Sequence, residues 1–288
     1  MRRLIEWERL DRRVLGALRF VDAASNLPVN RPLTIRGEGF RLVRNRAGLY
    51  VIDHVDALAD FHDAFDPPPA TPLGSEQIDF SVRDPANQYV PRLASVELPR
   101  DANPDNADNP DSLFQAVDIP MYPSTIAAVG GNWSVFWLAI TQPPTPPATT
   151  GEPIRGALVR VVRQQDDAVL ARALSDERGE CLVAVPGIPV TQFGNGGGNG
   201  NGNGNGNGNG NGNGNGNGDD LASGPVVQLT TAVSLEFIVD PNMNWPVNPT
   251  DVEDNAGSWT RTPSSPPSLD FNLRTGRSER VAVVIDMS

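Results

Sequence analysis

The sequence predicts an all-β fold made of two tandem small β-sandwich domains with short helical segments. The first observation is an internal repeat, because residues 44–52 and 176–185 each place a polar turn and a glycine before a strand-like run. A glycine in such a turn reaches positive φ without a Cβ clash, and alternating residues after it line one face of a sheet. The second observation is the regular succession of short strand-forming runs and turn signals with few helical patterns.

The first predicted domain spans residues 1–142. Its residues 2–13 predict a short amphipathic helix, because apolar residues recur at helical spacing between arginines and glutamates. A second short helix is predicted near residues 54–65, where a proline run ends the pattern. The strand patterns of this domain fall at residues 15–21, 33–35, 40–43, 49–52, 78–82, 94–98 and 133–140.

A proline-rich segment at residues 143–150 predicts a stiff, extended linker between the domains. The second domain spans residues 151–288, and a polar, proline-rich loop is expected at residues 240–267. Its single cysteine, Cys181, follows the turn glycine on a strand, where we expect a small buried hydrophobic side chain. The strand patterns of this domain fall at residues 157–162, 170–174, 181–185, 226–229, 233–239 and 281–285.

Residues 194–218 are an almost pure Gly–Asn alternation that holds 14 of the 28 glycines. This composition offers no apolar surface to bury, so we expect a disordered insertion in the second domain. No helix with a Lys or Ser/Thr anchor follows it, as a phosphate-binding loop requires. An expanded hairpin loop is the preferred interpretation, because lengthening a surface loop costs little stability.

The turn Ser175-Asp176-Glu177-Arg178-Gly179-Glu180-Cys181 resembles the Thr-Asp-x-x-Gly turn of carboxypeptidase regulatory-like domains, which are transthyretin-like (prealbumin-like) sandwiches related in shape to the Ig fold. Residues 153–161 are similar to the opening strand of that family. The first domain matches more loosely, with Arg44 and Asn45 where the family has Thr-Asp. The resemblance implies an accessory module that stiffens, spaces or docks other parts and has no active site.

Three short motifs are similar to segments of proteins associated with phage-tail-like contractile injection particles. This resemblance implies incorporation into a larger protein assembly. The motifs are Tyr89-Val90-Pro91-Arg92, Glu97-Leu98-Pro99-Arg100 and Met121-Tyr122-Pro123-Ser124.

The net charge is −12, although residues 1–50 carry 11 arginines against 5 acidic residues, and the chain has no lysine. An acidic protein of this kind argues against general nucleic-acid binding. No apolar run approaches the length of a membrane-spanning helix. Charges interrupt the N-terminus where a signal peptide needs an apolar stretch. We therefore expect a cytoplasmic protein, or one incorporated into a released particle, with protein partners, no nucleic acid and no membrane span.

The histidines and the acidic clusters are the residues of this sequence that catalysis or metal binding would use. His54 and His62 lie among aspartates, but their spacing is not that of a zinc pair. Asp101, Asn103 and Asp105 alternate like the start of a calcium loop, but Ser112 stands where that loop needs a glutamate. Cys181 is far in sequence from both histidines, so a nucleophilic pair is not indicated. The sequence predicts no catalytic residue, no cofactor and no metal site.

Trp133 and Trp137 fall on one face of their predicted strand because their separation is even. Aromatic residues at such positions usually belong to the core, whereas an exposed pair would form a partner or ligand surface. Trp7 and Arg9 of the predicted N-terminal helix are the other candidates for such a surface.

The leading hypothesis from the sequence is a non-enzymatic structural or adaptor protein that docks protein partners, within a contractile injection assembly. The first alternative is a carbohydrate-binding or cell-surface-binding module that uses Trp133, Trp137 and Trp245. The second alternative is a metal-dependent hydrolase around His54 and His62. The sequence leaves the oligomeric state open.

Deleting residues 194–218 tests the interpretation of the Gly–Asn tract. We expect the melting temperature to stay within about 3 °C of the full chain, because a longer surface loop adds little closure entropy. Calorimetry of the two proteins checks this. A large loss of stability on deletion would mean that the tract contributes to the core.

Overall fold

The computed structural model of the chain describes residues 13–63, 72–188, 192–193, 226–227, 230–242, 244–266 and 268–287. Over these residues the chain consists mostly of strands, which form two β-sandwiches in tandem. Each sandwich has its own cluster of buried apolar side chains, and a third cluster lies where the two meet. The predicted all-β fold is confirmed. The helix predicted at residues 2–13 and the Gly–Asn tract at residues 194–218 lie outside the described residues.

The first sandwich packs two sheets around one apolar core. Its strands are β1 (Gly16–Asp22), β2 (Thr34–Arg36), β3 (Phe40–Arg44), β4 (Tyr50–Val55), β5 (Glu76–Arg83), β6 (Arg92–Leu98) and β7 (Val117–Met121). A 3-10 turn at Asp56–Leu58 and helix α1 (Ala59–Asp63) follow β4. One sheet has the order β3-β4-β1-β7 and the other β2-β5-β6. Leu18, Ile52 and Phe80 lie in the core between them.

The second sandwich packs the sheet β11-β8-β17 against the sheet built on β10, β9 and β14. Its elements are β8 (Ser134–Thr141), β9 (Leu158–Arg163), β10 (Val169–Leu174), β11 (Glu180–Val185), β14 (Thr231–Ile238), α2 (Pro249–Asp254), α3 (Ala256–Trp259), β15 (Thr260–Arg261), β16 (Asp270–Leu273) and β17 (Ser278–Val284). Two further short strands, β12 (Gln192–Phe193) and β13 (Val226–Val227), pair with each other. Phe136, Val161 and Phe237 lie in the core.

One sheet of each sandwich contains the same arrangement of three strands. In the first, β1 lies between antiparallel β4 and parallel β7. In the second, β8 lies in the same way between antiparallel β11 and parallel β17. An isolated bridge joins the end of each first strand to a proline, Val21 to Pro28 and Thr141 to Pro153. The repeat seen in the sequence therefore extends to these three strands. The other strands pair differently, because β3 pairs with β4 in the first sandwich whereas β10 pairs with β9 in the second.

The glycine turns of the two repeats are held by the same hydrogen bonds. The Asn45 side chain accepts from the Leu49 N–H at 2.9 Å, and the Asp176 carboxylate accepts from the Glu180 N–H at 2.9 Å. The N–H of Gly48 or Gly179 donates to the carbonyl of the same polar residue at 3.1 or 3.0 Å. Both glycines have positive φ, +85° and +72°. Asn45 thus performs the role of Asp176, since either side chain can accept the bond.

The boundary between the sandwiches differs from the predicted one. β8, which we predicted in the first domain, pairs with β11 and β17 and sends Phe136 into the second core. Residues 143–150 connect β8 to the bridge at Pro153, so they form a loop of the second sandwich where a linker was expected. A proline-rich composition marks irregular backbone but does not reveal which strands pair around it.

Two predicted segments differ in secondary structure. The helix predicted near residues 54–65 begins later, because His54 belongs to β4, where it pairs with Arg41 of β3. The polar loop predicted at residues 240–267 contains α2, α3 and β15. α2 begins there because the Asn248 side chain caps its first turn, accepting from the Thr250 N–H at 3.2 Å, and Pro249 occupies the first helical position. In the described part of the chain, no helix has the length and apolarity to cross a membrane.

The sandwiches meet in a continuous apolar junction. Val90 and Tyr122 of the first sandwich pack with Leu158, Leu174 and Ile238 on the outer face of the second. The segment between β14 and β15 covers this junction with Val247 and Val252. It also bonds to the first sandwich, because the Leu93 N–H donates to the Val247 carbonyl at 2.8 Å. Packing and a backbone hydrogen bond therefore fix the two sandwiches relative to each other.

Replacing Gly179 by alanine tests the repeated turn. A Cβ there would lie 2.4 Å from the Ile140 backbone oxygen, in addition to the cost of a positive φ. We expect Gly179→Ala to lower the free energy of unfolding by about 3 kcal/mol. Gly187→Ala is the matched control, since Gly187 has φ +76° and no atom within 4 Å of a Cβ. We expect a loss of about 1 kcal/mol there. Equal losses in denaturant titrations would contradict the packing argument.

Candidate partner-binding surface

The outer face of the sheet β11-β8-β17 carries an apolar groove. In the sheet register Trp137 lies between Leu182 of β11 and Arg280 of β17. Ala139 lies next along β8, beside Ala282 of β17. A groove of about 510 Å³ runs along these strands, lined by Thr125, Trp137, Leu138, Ala139, Glu180, Arg280, Val281 and Ala282. Its floor is apolar, and charged side chains stand at its sides.

Trp137 and Arg280 give this groove its chemical character. Trp137 is half-buried, so its indole contributes to the surface as well as to packing. Arg280 is exposed, and no carboxylate in the described part of the chain pairs with it. A tryptophan beside an unpaired arginine suits a ligand that offers both apolar and acidic groups.

β17 leaves part of its backbone edge without a strand neighbour. The Val284 N–H donates to the Ser265 carbonyl at 2.8 Å, on the side away from β8, whereas the Ile285 N–H donates to Thr141 of the β8 side at 2.9 Å. Because backbone groups alternate in direction along a strand, Ser278, Arg280 and Ala282 face the same way as Val284. Over the described residues, no hydrogen bond reaches these three positions from that side.

The corresponding edge of the first sandwich is closed. β7 pairs with β1 as β17 pairs with β8, and Pro120 lies on its outer edge. Proline has no N–H to offer, and the Pro120 carbonyl accepts from the Arg92 Nη1 at 2.7 Å. The two repeats therefore differ at the same place, with one edge closed by a proline and an arginine and the other exposed.

Arg92 closes that edge from inside the junction, where it is 1% exposed. Besides its bond to Pro120, its Nε donates to the Leu93 carbonyl at 2.9 Å and its Nη2 to the Asn248 Oδ1 at 3.4 Å. Its guanidinium lies 5.9 Å from the centre of the Tyr122 ring. Burial lowers the pKa of Arg92, and the charge of Asp251 opposes that shift. This buried arginine joins β6, β7 and the start of α2.

Trp133 and Trp245, the other candidate residues that the structure describes, do not line the groove. Trp133 lies in the turn before β8, its ring against Gly130. Trp245 lines a separate cleft of about 510 Å³ with Tyr89 and Arg178. Trp7 and Arg9 lie outside the described residues. Among the predicted residues that the structure describes, Trp137 alone borders the groove, and its neighbours Arg280 and Ala282 were not predicted. The sequence has no local signal for them, because residues 278–284 are three polar residues followed by four apolar ones, without alternation.

The residues considered for catalysis lie apart. His54 lies on β4, where its Nε2 is 3.1 Å from an Asp56 carboxylate oxygen, and His62 lies on α1. The two histidines therefore do not share one helix face. Cys181 is completely buried in the second core, and burial raises the pKa of its thiol. A raised pKa keeps the thiol protonated and unreactive at neutral pH.

Comparisons with known proteins assign no family to this chain. No protein-family profile matches it, and no curated protein matches it. Among solved structures, the Bacillus anthracis TIE protein is similar at a TM-score of 0.24 and 10% identity, over 95% of this chain. This chain spans 34% of the length of that protein. The observations on function therefore come from the residues of this chain.

Replacing Arg92 by alanine tests its role in the junction. The change removes the donor to the Pro120 carbonyl and one of the two donors to the Asn248 Oδ1, and it opens a cavity. We expect the free energy of unfolding to fall by about 3 kcal/mol and calorimetry to resolve two separate transitions. Arg83→Ala, an exposed arginine on neighbouring β5, is the control, with an expected change within about 0.5 kcal/mol. Equal effects of the two substitutions would contradict this role.

Proposed function

We propose that this protein is a non-enzymatic structural or adaptor protein that docks an extended segment of a partner protein on β17. The observation that carries the proposal is the exposed backbone edge at Ser278, Arg280 and Ala282 beside the Trp137 groove. A partner segment added there would continue the sheet through main-chain hydrogen bonds. Its side chains would contact Trp137, and an acidic residue would pair with Arg280.

The rest of the molecule supports this function. The closed edge at Pro120 makes the equivalent edge of the first sandwich unsuitable for strand addition. The junction around Arg92 fixes the direction in which the first sandwich points once β17 is occupied. A protein that joins or spaces other components needs such a fixed geometry, and it needs no catalytic group.

The resemblance to carboxypeptidase regulatory-like, transthyretin-like domains also supports a structural or adaptor function, because those domains are mostly accessory modules. The shared hydrogen bonds of the Asn45 and Asp176 turns support including both sandwiches in it. Membership of a phage-tail-like contractile injection assembly rests on the motifs at residues 89–92, 97–100 and 121–124. Neighbouring genes that encode sheath, tube or baseplate components would support this placement, and neighbours of another kind would count against it.

A carbohydrate-binding function is less well supported. It needs several aromatic rings on one platform, and Trp137 and Trp245 line different clefts while Trp133 packs against Gly130. Protein docking requires only Trp137 and the strand edge. Glycan binding that is lost in Trp137→Ala would reverse this preference.

Ala282→Pro tests the strand-docking proposal. It removes an N–H that bonds to no described residue, so the fold should persist while a bonding group is lost for the partner. We expect the affinity for the partner, identified by co-purification with products of neighbouring genes, to fall at least about tenfold. Ala282→Val keeps the N–H and serves as the control. Unchanged binding by the folded proline variant would contradict docking on this edge.

A further inference from the structure

A cavity of about 360 Å³ opens on the outer face of the sheet β2-β5-β6. Its charged lining residues are Arg36 of β2 and Arg83 of β5, and no acidic side chain of the described residues lines it. We propose that this cavity, named here the Arg36–Arg83 cavity, binds the phosphoryl group of a small ligand. The uncharged part of its lining consists of Thr34, Ser81, Val82, Pro85, Pro91 and Pro246.

The strand register places the two arginines where both can reach one anion. β2 and β5 are antiparallel, with Thr34 opposite Arg83 and Arg36 opposite Ser81. Residues two apart on a strand share a face, so these four side chains stand on the same face of the sheet. Arg36 and Arg83 are diagonal neighbours, and the Cβ atoms of such a pair lie about 7 Å apart. Two long side chains at this separation can turn their guanidinium groups onto a single ligand.

The charges of Arg36 and Arg83 are not neutralised within the described part of the chain, where no carboxylate pairs with either. Asp79 lies on the same face of β5, but its carboxylate accepts from the Gln77 Nε2 at 2.9 Å. By contrast, other arginines of the same sandwich pair with aspartates, namely Arg19, Arg31 and Arg41. In a chain with a net charge of −12, the cavity is therefore a local site of positive charge that an anion would neutralise.

The walls of the Arg36–Arg83 cavity come from both sandwiches and are held in place by hydrogen bonds. Pro85 follows Asp84, whose buried carboxylate accepts two backbone N–H groups of the same turn at 2.9 and 3.0 Å. Pro246 of the second sandwich precedes Val247, whose carbonyl accepts from the Leu93 N–H at 2.8 Å. A cavity that exists before binding requires little reorganisation. Its proline walls also displace water around the arginines, which strengthens their attraction for an anion.

Two guanidinium groups and a hydroxyl favour a phosphoryl group over a single carboxylate. A carboxylate has two oxygens and can satisfy one guanidinium fork, whereas a phosphoryl group offers three oxygens and close to two negative charges. Arginine matches phosphate geometry through two parallel N–H···O bonds. The Thr34 hydroxyl also lines the cavity and can donate to a further oxygen. The volume is in the range of small-molecule sites, so an organic group attached to the phosphate has room as well.

This site is independent of the proposed strand docking on β17. The Arg36–Arg83 cavity and the Trp137 groove have no lining residue in common. Because Pro246 of the second sandwich forms one wall, a ligand in the cavity would contact both sandwiches. Phosphate is therefore expected to raise the melting temperature of the whole protein.

Titration of the full-length protein with inorganic phosphate tests the site, at an ionic strength kept constant with sodium chloride because salt screens exposed charges. We expect saturable shifts of the amide NMR signals of residues 34–36 and 81–83, with a dissociation constant of about 1 mM. Arg36→Gln and Arg83→Gln are each expected to weaken binding at least about fivefold. Arg46→Gln is the matched control, because it removes the same charge from an exposed turn outside the cavity.

Glycerol phosphate and glycerol distinguish the two sources of a phosphoryl group. Tighter binding of glycerol phosphate than of phosphate, without a response to glycerol, identifies an organic phosphate as the ligand. Binding that is equal or weaker identifies free phosphate.

Two results overturn the proposal. One is the absence of saturable shifts up to about 20 mM of either phosphate compound. The other is binding that Arg36→Gln and Arg83→Gln weaken no more than Arg46→Gln does, since this would indicate general attraction to the protein's charge. Both arginines of the cavity are exposed, so these variants should fold, and circular dichroism verifies it.

Discussion

The arrangement of the two sandwiches depends on the burial of one guanidinium group. A buried arginine must have acceptors for its donors, and Arg92 finds them on Leu93, Pro120 and Asn248. These acceptors belong to β6, β7 and the cap of α2, which are distant in sequence. Satisfying one side chain therefore places the last strand of the first sandwich and the loop before α2 together. The apolar contacts of Val90 and Tyr122 surround this polar centre and exclude water from it.

Sequence reasoning predicted the parts of the fold that local chemistry decides. The turns at Gly48 and Gly179 were predicted correctly because a turn with a positive φ and a side-chain acceptor requires a polar residue followed closely by glycine, which is visible in the sequence. The pairing of β8 was not, since a run of strand-forming residues does not identify its neighbours. α2 and α3 were missed because the prolines at positions 246 and 249 indicate loop, although proline is also favoured at the first position of a helix. The burial of Arg92 could not be predicted from the sequence, because an isolated arginine is normally exposed.

The candidate surfaces likewise include residues that local sequence predicts and residues that depend on strand pairing. Trp137 was identified because aromatic residues on a strand stand out, whereas Trp133 was grouped with it by even spacing although it precedes the strand. Arg280 and Ala282 border the groove because of the register of β17 against β8, and a local sequence pattern does not reveal that register.

The two repeats use equivalent edges differently, and this difference connects structure to function. β7 and β17 are both the parallel neighbour of the first strand in their sandwich. The β7 edge is occupied within the chain, where Pro120 and Arg92 make it part of the junction with the second sandwich. The β17 edge has the same place in its repeat, and its outward backbone groups at Ser278, Arg280 and Ala282 bond to no described residue. One repeat therefore shows how this edge joins a neighbouring domain, and in the proposed function the other repeat would present the same edge to a partner. The proposed adaptor would acquire its direction in this way, since one connection is internal to the chain and the other is external.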